Sequence, residues 1–213
     1  MVKKTETYPA TLDIDYPVKQ SRWKTLLRLI LVLPILLILG LLTATGSSES
    51  TEETSQYMSQ SGGGIVLGLF VATALLILFR QRYPRWWFDF NLELNRFSTR
   101  VGAYILLLTD VYPSTEDAQS VHLNIAYPDA KKDLNRWLPL VKWILAFPHY
   151  VILFFLSFGV VAATLIAWVV ILITGRYPRE LFNFVVGVSR WGLRVGAYAF
   201  LLTTDKYPPF SLK

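Results

Sequence analysis

The 213-residue sequence contains no cysteine, which excludes disulfides, thiolate metal sites and cysteine nucleophiles together. Histidine is nearly absent as well: His122 and His149 are not spaced as metal ligands, and each reads as a lone interfacial or packed side chain. There is no phosphate-cradling glycine loop and no Gly-x-Ser-x-Gly elbow. Charge is scarce, at 17% of positions against about 25% in soluble domains, while 53% of positions are hydrophobic. That balance points to an integral membrane protein. Leu26 to Leu42 is interrupted only by Arg28 and Pro34, Ile65 to Phe79 carries no charge, and neither does Ile144 to Ile173. A bilayer core of about 30 Å takes roughly 20 helical residues, so these runs are candidates to span it as helices. The first run begins near residue 26 with no small-residue cleavage pattern behind it, which argues against a removable signal peptide. The net charge of +6 sits beside the apolar runs, where membrane orientation explains it better than nucleic acid does.

What the chain does contain, it contains twice. Arg82-Tyr83-Pro84-Arg85, Arg96, Arg100-Val101-Gly102-Ala103-Tyr104 and Asp110 return as Arg176-Tyr177-Pro178-Arg179, Arg190, Arg194-Val195-Gly196-Ala197-Tyr198 and Asp205. Upstream, Leu12-Asp13-Ile14-Asp15-Tyr16-Pro17 returns as Leu123-Asn124-Ile125-Ala126-Tyr127-Pro128, and Arg22-Trp23 with Pro34 as Arg136-Trp137 with Pro148. This pattern predicts a tandem duplication with units 1–113 and 114–213, in which anything essential is present in both halves.

The two halves differ by about twenty residues between their apolar runs. In the first half that place holds a polar loop with Glu49, Glu52 and Glu53, so its counterpart is expected to be a tight turn near Ser157-Phe158-Gly159. Lys131, Lys132, Arg136 and Lys142 precede the second run and Arg176 and Arg179 follow it; Lys19, Arg22, Lys24 and Arg28 precede the first and Arg80, Arg82 and Arg85 follow it. Two helical hairpins would put all four basic clusters and both termini on the cytoplasmic side. The expected fold is therefore an all-α integral membrane protein of two pseudo-symmetric repeats. Each would be a transmembrane hairpin, an interfacial amphipathic helix over about 85–108 or 179–203, and one short cytoplasmic strand. The alternating segments Tyr8–Pro17 and Ser120–Pro128 supply the strands and are expected to pair. Pro34 and Pro148 would kink matching spans.

Asp89, Glu93, Arg96 and Arg100 make one helical stripe, and Asn183, Gly187, Arg190 and Arg194 occupy it in the second half. Arg96, Arg100, Arg190 and Arg194 pass the duplication test and are the candidate site for lipid headgroups or a partner. Snorkelling to fix helix depth follows equally from that placement. A third option pairs Arg100 and Arg194 with Asp110 and Asp205 across a chain reversal. Asp13, Asp15 and Asp89 suggest a cation site, but Asn124, Ala126 and Asn183 replace them, and a solvated face is the better reading. The repeated Tyr-Pro dipeptides and the tryptophans mark segment boundaries at a membrane interface.

These motifs, above all Gly175 to Phe210, resemble a bacterial membrane family known as domain of unknown function 4389, present here as two copies. The resemblance implies a multi-pass membrane protein with no assigned activity and supplies no catalytic residues. The expected function is a non-enzymatic scaffold or accessory subunit in the bacterial inner membrane, without cofactor, partnered by membrane lipids and by another membrane protein or its own copies, not by nucleic acid. A small transporter or channel is the alternative, weakened by the lack of ionisable residues in the spans.

Overall fold

A computed structural model describes residues 8–43, 65–114, 117 and 119–213. Strict alternation makes β1 (Ala10–Ile14) and β2 (Val121–Ile125) strands with one dry and one wet face. They pair antiparallel with Leu12 opposite Leu123, so the expected two-stranded sheet is present. Ala10, Leu12, Ile14, Val121, Leu123 and Ile125 are buried, whereas Thr11, Asp13, His122 and Asn124 face outward.

Seven helices accompany the sheet among the described residues. They are α1 (Arg22–Leu31), α2 (Leu33–Thr43), α3 (Ile65–Leu75), which runs on as a π-helical turn over Leu76–Arg80, α4 (Arg85–Ile105), α5 (Lys142–Leu145) after a short 3-10 turn at Leu138–Leu140, α6 (Phe147–Thr174) and α7 (Arg179–Ala199). They stack as layers. The sheet covers α4 and α7, with β1 on α7 and β2 on α4, and behind these α6 packs on α7, α1 on α6, and α2 on α3 and α4. One core draws on both halves, combining Leu12, Leu123, Ile77, Ile171, Phe88 and Phe182.

The layers are aligned lengthwise. Tyr8 donates to the Arg194 carbonyl at one end of β1 (3.3 Å), and just past the other end Tyr16 donates to the Tyr177 carbonyl. Helix α6 returns into α7 through Gly175, whose φ of 71° closes the first helix in the left-handed region that glycine tolerates. At the far end of this antiparallel pair, Trp191 Nε1 donates to His149 Nδ1 at 3.0 Å.

This arrangement overturns the expected pair of transmembrane hairpins. Among the described residues only α6 is long and apolar enough to cross a membrane. It is one unbroken 28-residue helix, about 42 Å long, that runs straight through Ser157-Phe158-Gly159. The small residues read as a turn serve helix packing. The Ser157 hydroxyl bonds back to the Phe154 carbonyl at 2.6 Å, and a Cβ on Gly159 would lie 3.1 Å from the Phe184 ring. The first half distributes the same contacts over two short helices: Val32 and Ile35 pack on Phe97, Val101 and Tyr104 as Ala146 packs on Trp191, Val195 and Tyr198. The acidic loop with Glu49, Glu52 and Glu53 lies outside the described residues. The prolines interrupt the helical path alike, α1 from α2 at Val32 and α5 from α6 at Ala146, rather than bending the middle of a span. Each is the second residue of its helix, Pro34 in α2 and Pro148 in α6, where the missing N–H costs nothing.

An unbroken α6 makes Ser157→Pro severe, because proline in a helix interior costs about 3 kcal/mol, whereas a turn there would accept it. Circular dichroism and thermal unfolding in detergent should show lost helicity and a lowered Tm.

Candidate functional site

Helix α1 is amphipathic in the inverted sense. Thr25 and Arg28 point inward, with Arg28 only 3% exposed, while Trp23, Leu26, Leu27 and Ile30 point outward, Trp23 at 77%. The Arg28 guanidinium donates from Nη2 to Asp110 Oδ1 at 2.5 Å and from Nη1 to the Tyr104 carbonyl at 2.9 Å, and lies 4.5 Å over the Tyr104 ring. The second Asp110 oxygen accepts the Ser21 N–H at 2.6 Å. In the other half, Lys142 of α5 is fully buried while Trp143, Ile144 and Leu145 are exposed. Its Nζ sits 2.6 Å from Asp205 Oδ1 and donates to the Thr204 carbonyl at 2.8 Å, with the Tyr198 ring 5.3 Å away. Asp205 Oδ2 accepts the Asn135 N–H at 2.6 Å. Burial pulls the Lys142 ammonium below the ordinary lysine range, and Asp205 opposes the fall.

Both carboxylates are delivered by a chain reversal after the amphipathic helix, where Leu107 (φ 64°) and Leu202 (φ 55°) adopt left-handed backbone. A branched side chain there costs about 1–2 kcal/mol, and the bonds made beyond the turn hold it. The reversal that an ion pair with Asp110 or Asp205 requires thus exists. The cation it reaches is Arg28 or Lys142, not Arg100 or Arg194.

The four arginines singled out from the sequence have main-chain partners. Leu12 and Leu123 oppose each other at a non-hydrogen-bonded position, flanked by Ala126 N to Pro9 O and Asp15 N to Ser120 O, so their carbonyls point out of the ladder. Arg190 Nε takes the Leu12 carbonyl at 2.7 Å and continues to Asp13 Oδ1 at 2.6 Å. Arg96 Nε takes the Leu123 carbonyl at 3.1 Å, with Nη1 on Glu93 at 2.6 Å. Each strand edge is therefore capped by an arginine from the other half of the chain, at the backbone groups a foreign strand would use. Arg100 binds the Ser114 carbonyl at 2.7 Å, and Arg194 binds the carbonyls of Ser211 and Lys213. The exchange extends to the tyrosines: Tyr127 donates to the Tyr83 carbonyl at 2.5 Å as Tyr16 does to Tyr177, and Arg85 and Arg179 lie over the Tyr127 and Tyr16 rings. Burial pushes the Tyr83 and Tyr177 phenols up to about 12, keeping both neutral.

Asp13, Asp15 and Asp89 do not converge, being engaged by Arg190, His122 and Arg85 respectively. No group of three or more potential metal ligands occurs among the described residues. His149 is buried against Trp191 and stacks on Phe210 with centroids 4.0 Å apart. The Arg28–Asp110 and Lys142–Asp205 pairs were missed in the sequence. The signal was there: the offset that aligns Arg22 with Arg136 also aligns Arg28 with Lys142, the one cation each apolar approach retains.

Residues 137–211 match a family described as a domain of unknown function, DUF4389. The DUF4389 segment holds α5, α6 and α7 with Lys142, Asp205, Arg190 and Arg194. Arg28, Asp110, Arg96 and Arg100 lie outside it. No curated protein and no solved structure matches the chain.

Asp205→Ala strands a buried ammonium, so a loss of about 3–5 kcal/mol is expected, most of it regained when Lys142→Met is added; denaturant unfolding of the two variants checks this. A charge-assisted hydrogen bond contributes about 1.5–3 kcal/mol, so Arg190→Ala should speed amide exchange in β1 roughly 10- to 100-fold and Arg96→Ala should do the same to β2, read by hydrogen-exchange mass spectrometry.

Proposed function

We propose that this is a non-enzymatic membrane-associated protein, a scaffold or accessory subunit, whose layer of α1, α2, α3, α5 and α6 is sunk into the face of a bacterial inner membrane. The observation that carries the reading is the inverted burial of α1 and α5. Beyond the exposed Arg22 and Lys24 of its first turn, α1 hides Arg28 as α5 hides Lys142, and both present tryptophan, leucine and isoleucine outward, an arrangement suited to a hydrocarbon surrounding. The outward face of α6 continues the surface, with Phe147, Phe154, Phe158, Leu165 and Ile173 exposed. The opposite side of the molecule is the polar face of the sheet. Because α6 runs along α7 and α7 runs along β1, a bilayer crossed by α6 would have to enclose Asp13, Asp15 and His122; an α6 lying in the membrane plane leaves them in water.

Arg96, Arg100, Arg190 and Arg194 in this reading hold the sheet and the returning chain against the helices. On the water-facing side with the sheet, partner contact is left to the partly exposed remainder of Arg96 and Arg190. We further infer that the first half is a diverged second copy of the DUF4389 unit. The matched ion pairs, arginine caps and tyrosine bonds support that inference.

The absence of native cysteine makes the disposition testable. Lys131→Cys and Arg176→Cys flank α6, and an impermeant maleimide should label both from the same side of sealed vesicles; labelling from opposite sides would mean that α6 crosses. Substituting Trp23, Leu27 and Phe158 by aspartate should move the protein out of the membrane fraction. A stoichiometric protein co-purifying after gentle extraction supports the accessory role.

A further inference from the structure

Between α1 and α6 the apolar layer is split by a cavity of about 280 Å³. Its walls are Thr25, Arg28 and Val32 on one side and Thr164, Leu165 and Trp168 on the other, with the exposed Ile105 and the buried Leu107 completing the lining. We infer that it takes one acyl chain of a bilayer phospholipid. The inference rests on the membrane reading above and adds a defined lipid site to it.

The polar atoms in the walls are few and mostly engaged. The Thr25 hydroxyl bonds to the Ser21 carbonyl at 3.0 Å and that of Thr164 to the Val160 carbonyl at 2.8 Å, so each threonine has committed its proton to its own helix. The Arg28 guanidinium is neutralised by Asp110 and bonded to the Tyr104 carbonyl, with only its Nε left without a partner. An anionic ligand finds that charge already paired, whereas hydrocarbon meets surface of its own kind. The size suits a chain: the volume lies just below the range of about 300–1,000 Å³ that holds drug-sized molecules, too narrow for a helix. Of the lining, Ile105, Leu165 and Trp168 are exposed and continuous with the outward apolar face. Empty space in a packed layer forfeits contacts that a neighbouring chain would restore.

The test reconstitutes the full-length protein into phosphatidylcholine–phosphatidylglycerol vesicles doped with a phospholipid bearing a diazirine near the end of one acyl chain. After irradiation, adducts are mapped by mass spectrometry. Adducts are expected at Leu107, which is buried and lines the cavity, as well as at Phe154 and Phe158 on the outer face. Thr164→Phe, which fills the cavity, should abolish the Leu107 adduct and leave the other two. Outer-face adducts without Leu107 in the wild type would overturn the cavity site and leave the membrane reading standing. A Leu107 adduct that survives in Thr164→Phe would also overturn the site. Absence of all three would overturn the membrane reading itself.

Discussion

Two buried cations set the terms for the rest of this structure. Arg28 and Lys142 each sit at the entry to an apolar helix system, turned away from the surface, and a buried charge is tolerable only with a carboxylate and carbonyls in place. Supplying them forces the chain, after each amphipathic helix, to reverse through a left-handed leucine and bring Asp110 or Asp205 back beside the start of its own half. That reversal fixes where α4 and α7 end and which way the following segments leave. The same carboxylates accept the N–H of Ser21 and Asn135, so one aspartate anchors both the side chain of the entry helix and the backbone before it.

The second constraint is the exchange between halves. A two-stranded sheet is only marginally stable alone in water. Here β1 is fastened to α7 by Arg190 and Tyr16, and β2 to α4 by Arg96 and Tyr127, so each strand is held by the half that did not supply it. The arginines do two jobs with one side chain, tying sheet to helix and occupying the outward carbonyls of Leu12 and Leu123. A shared core follows, because each strand is covered by the amphipathic helix of the other half, while α2 and α6 pack on α4 and α7 within their own halves.

Much of this was legible in the sequence, and the failures have a physical pattern. The strands were readable because period-two alternation between Tyr-Pro punctuation admits few alternatives, and the helices over 85–105 and 179–199 because their polar stripe keeps a 3.6-residue period. The continuity of α6 was not, because an apolar run of that length carries no periodicity and Ser157 with Gly159 looks the same whether it turns the chain or lets Phe184 approach. The partners of the arginines were also hidden: a guanidinium bound to a main-chain carbonyl leaves no mark on the residue that supplies the carbonyl. Lys142 and Arg28 were visible as cations but read as members of surface clusters, since composition alone does not say which way a helix faces.

The lost hairpin also changes what the basic clusters mean. With two spans per half, the clusters on either side of each run share a side because the chain goes across and returns. An unbroken α6 puts Lys131, Lys132 and Arg136 at one end of a rod about 42 Å long and Arg176 and Arg179 at the other. If that rod crossed a bilayer core of about 30 Å, it would carry basic residues to both sides and leave about two turns to spare. Laid in the plane of one leaflet, the same rod places both clusters at headgroup level on one side, and the first-half clusters around Arg22 and Arg82 join them there. The charge asymmetry that argued for hairpins would thus be preserved under the proposed in-plane placement, and the polar sheet above it would need no burial in lipid.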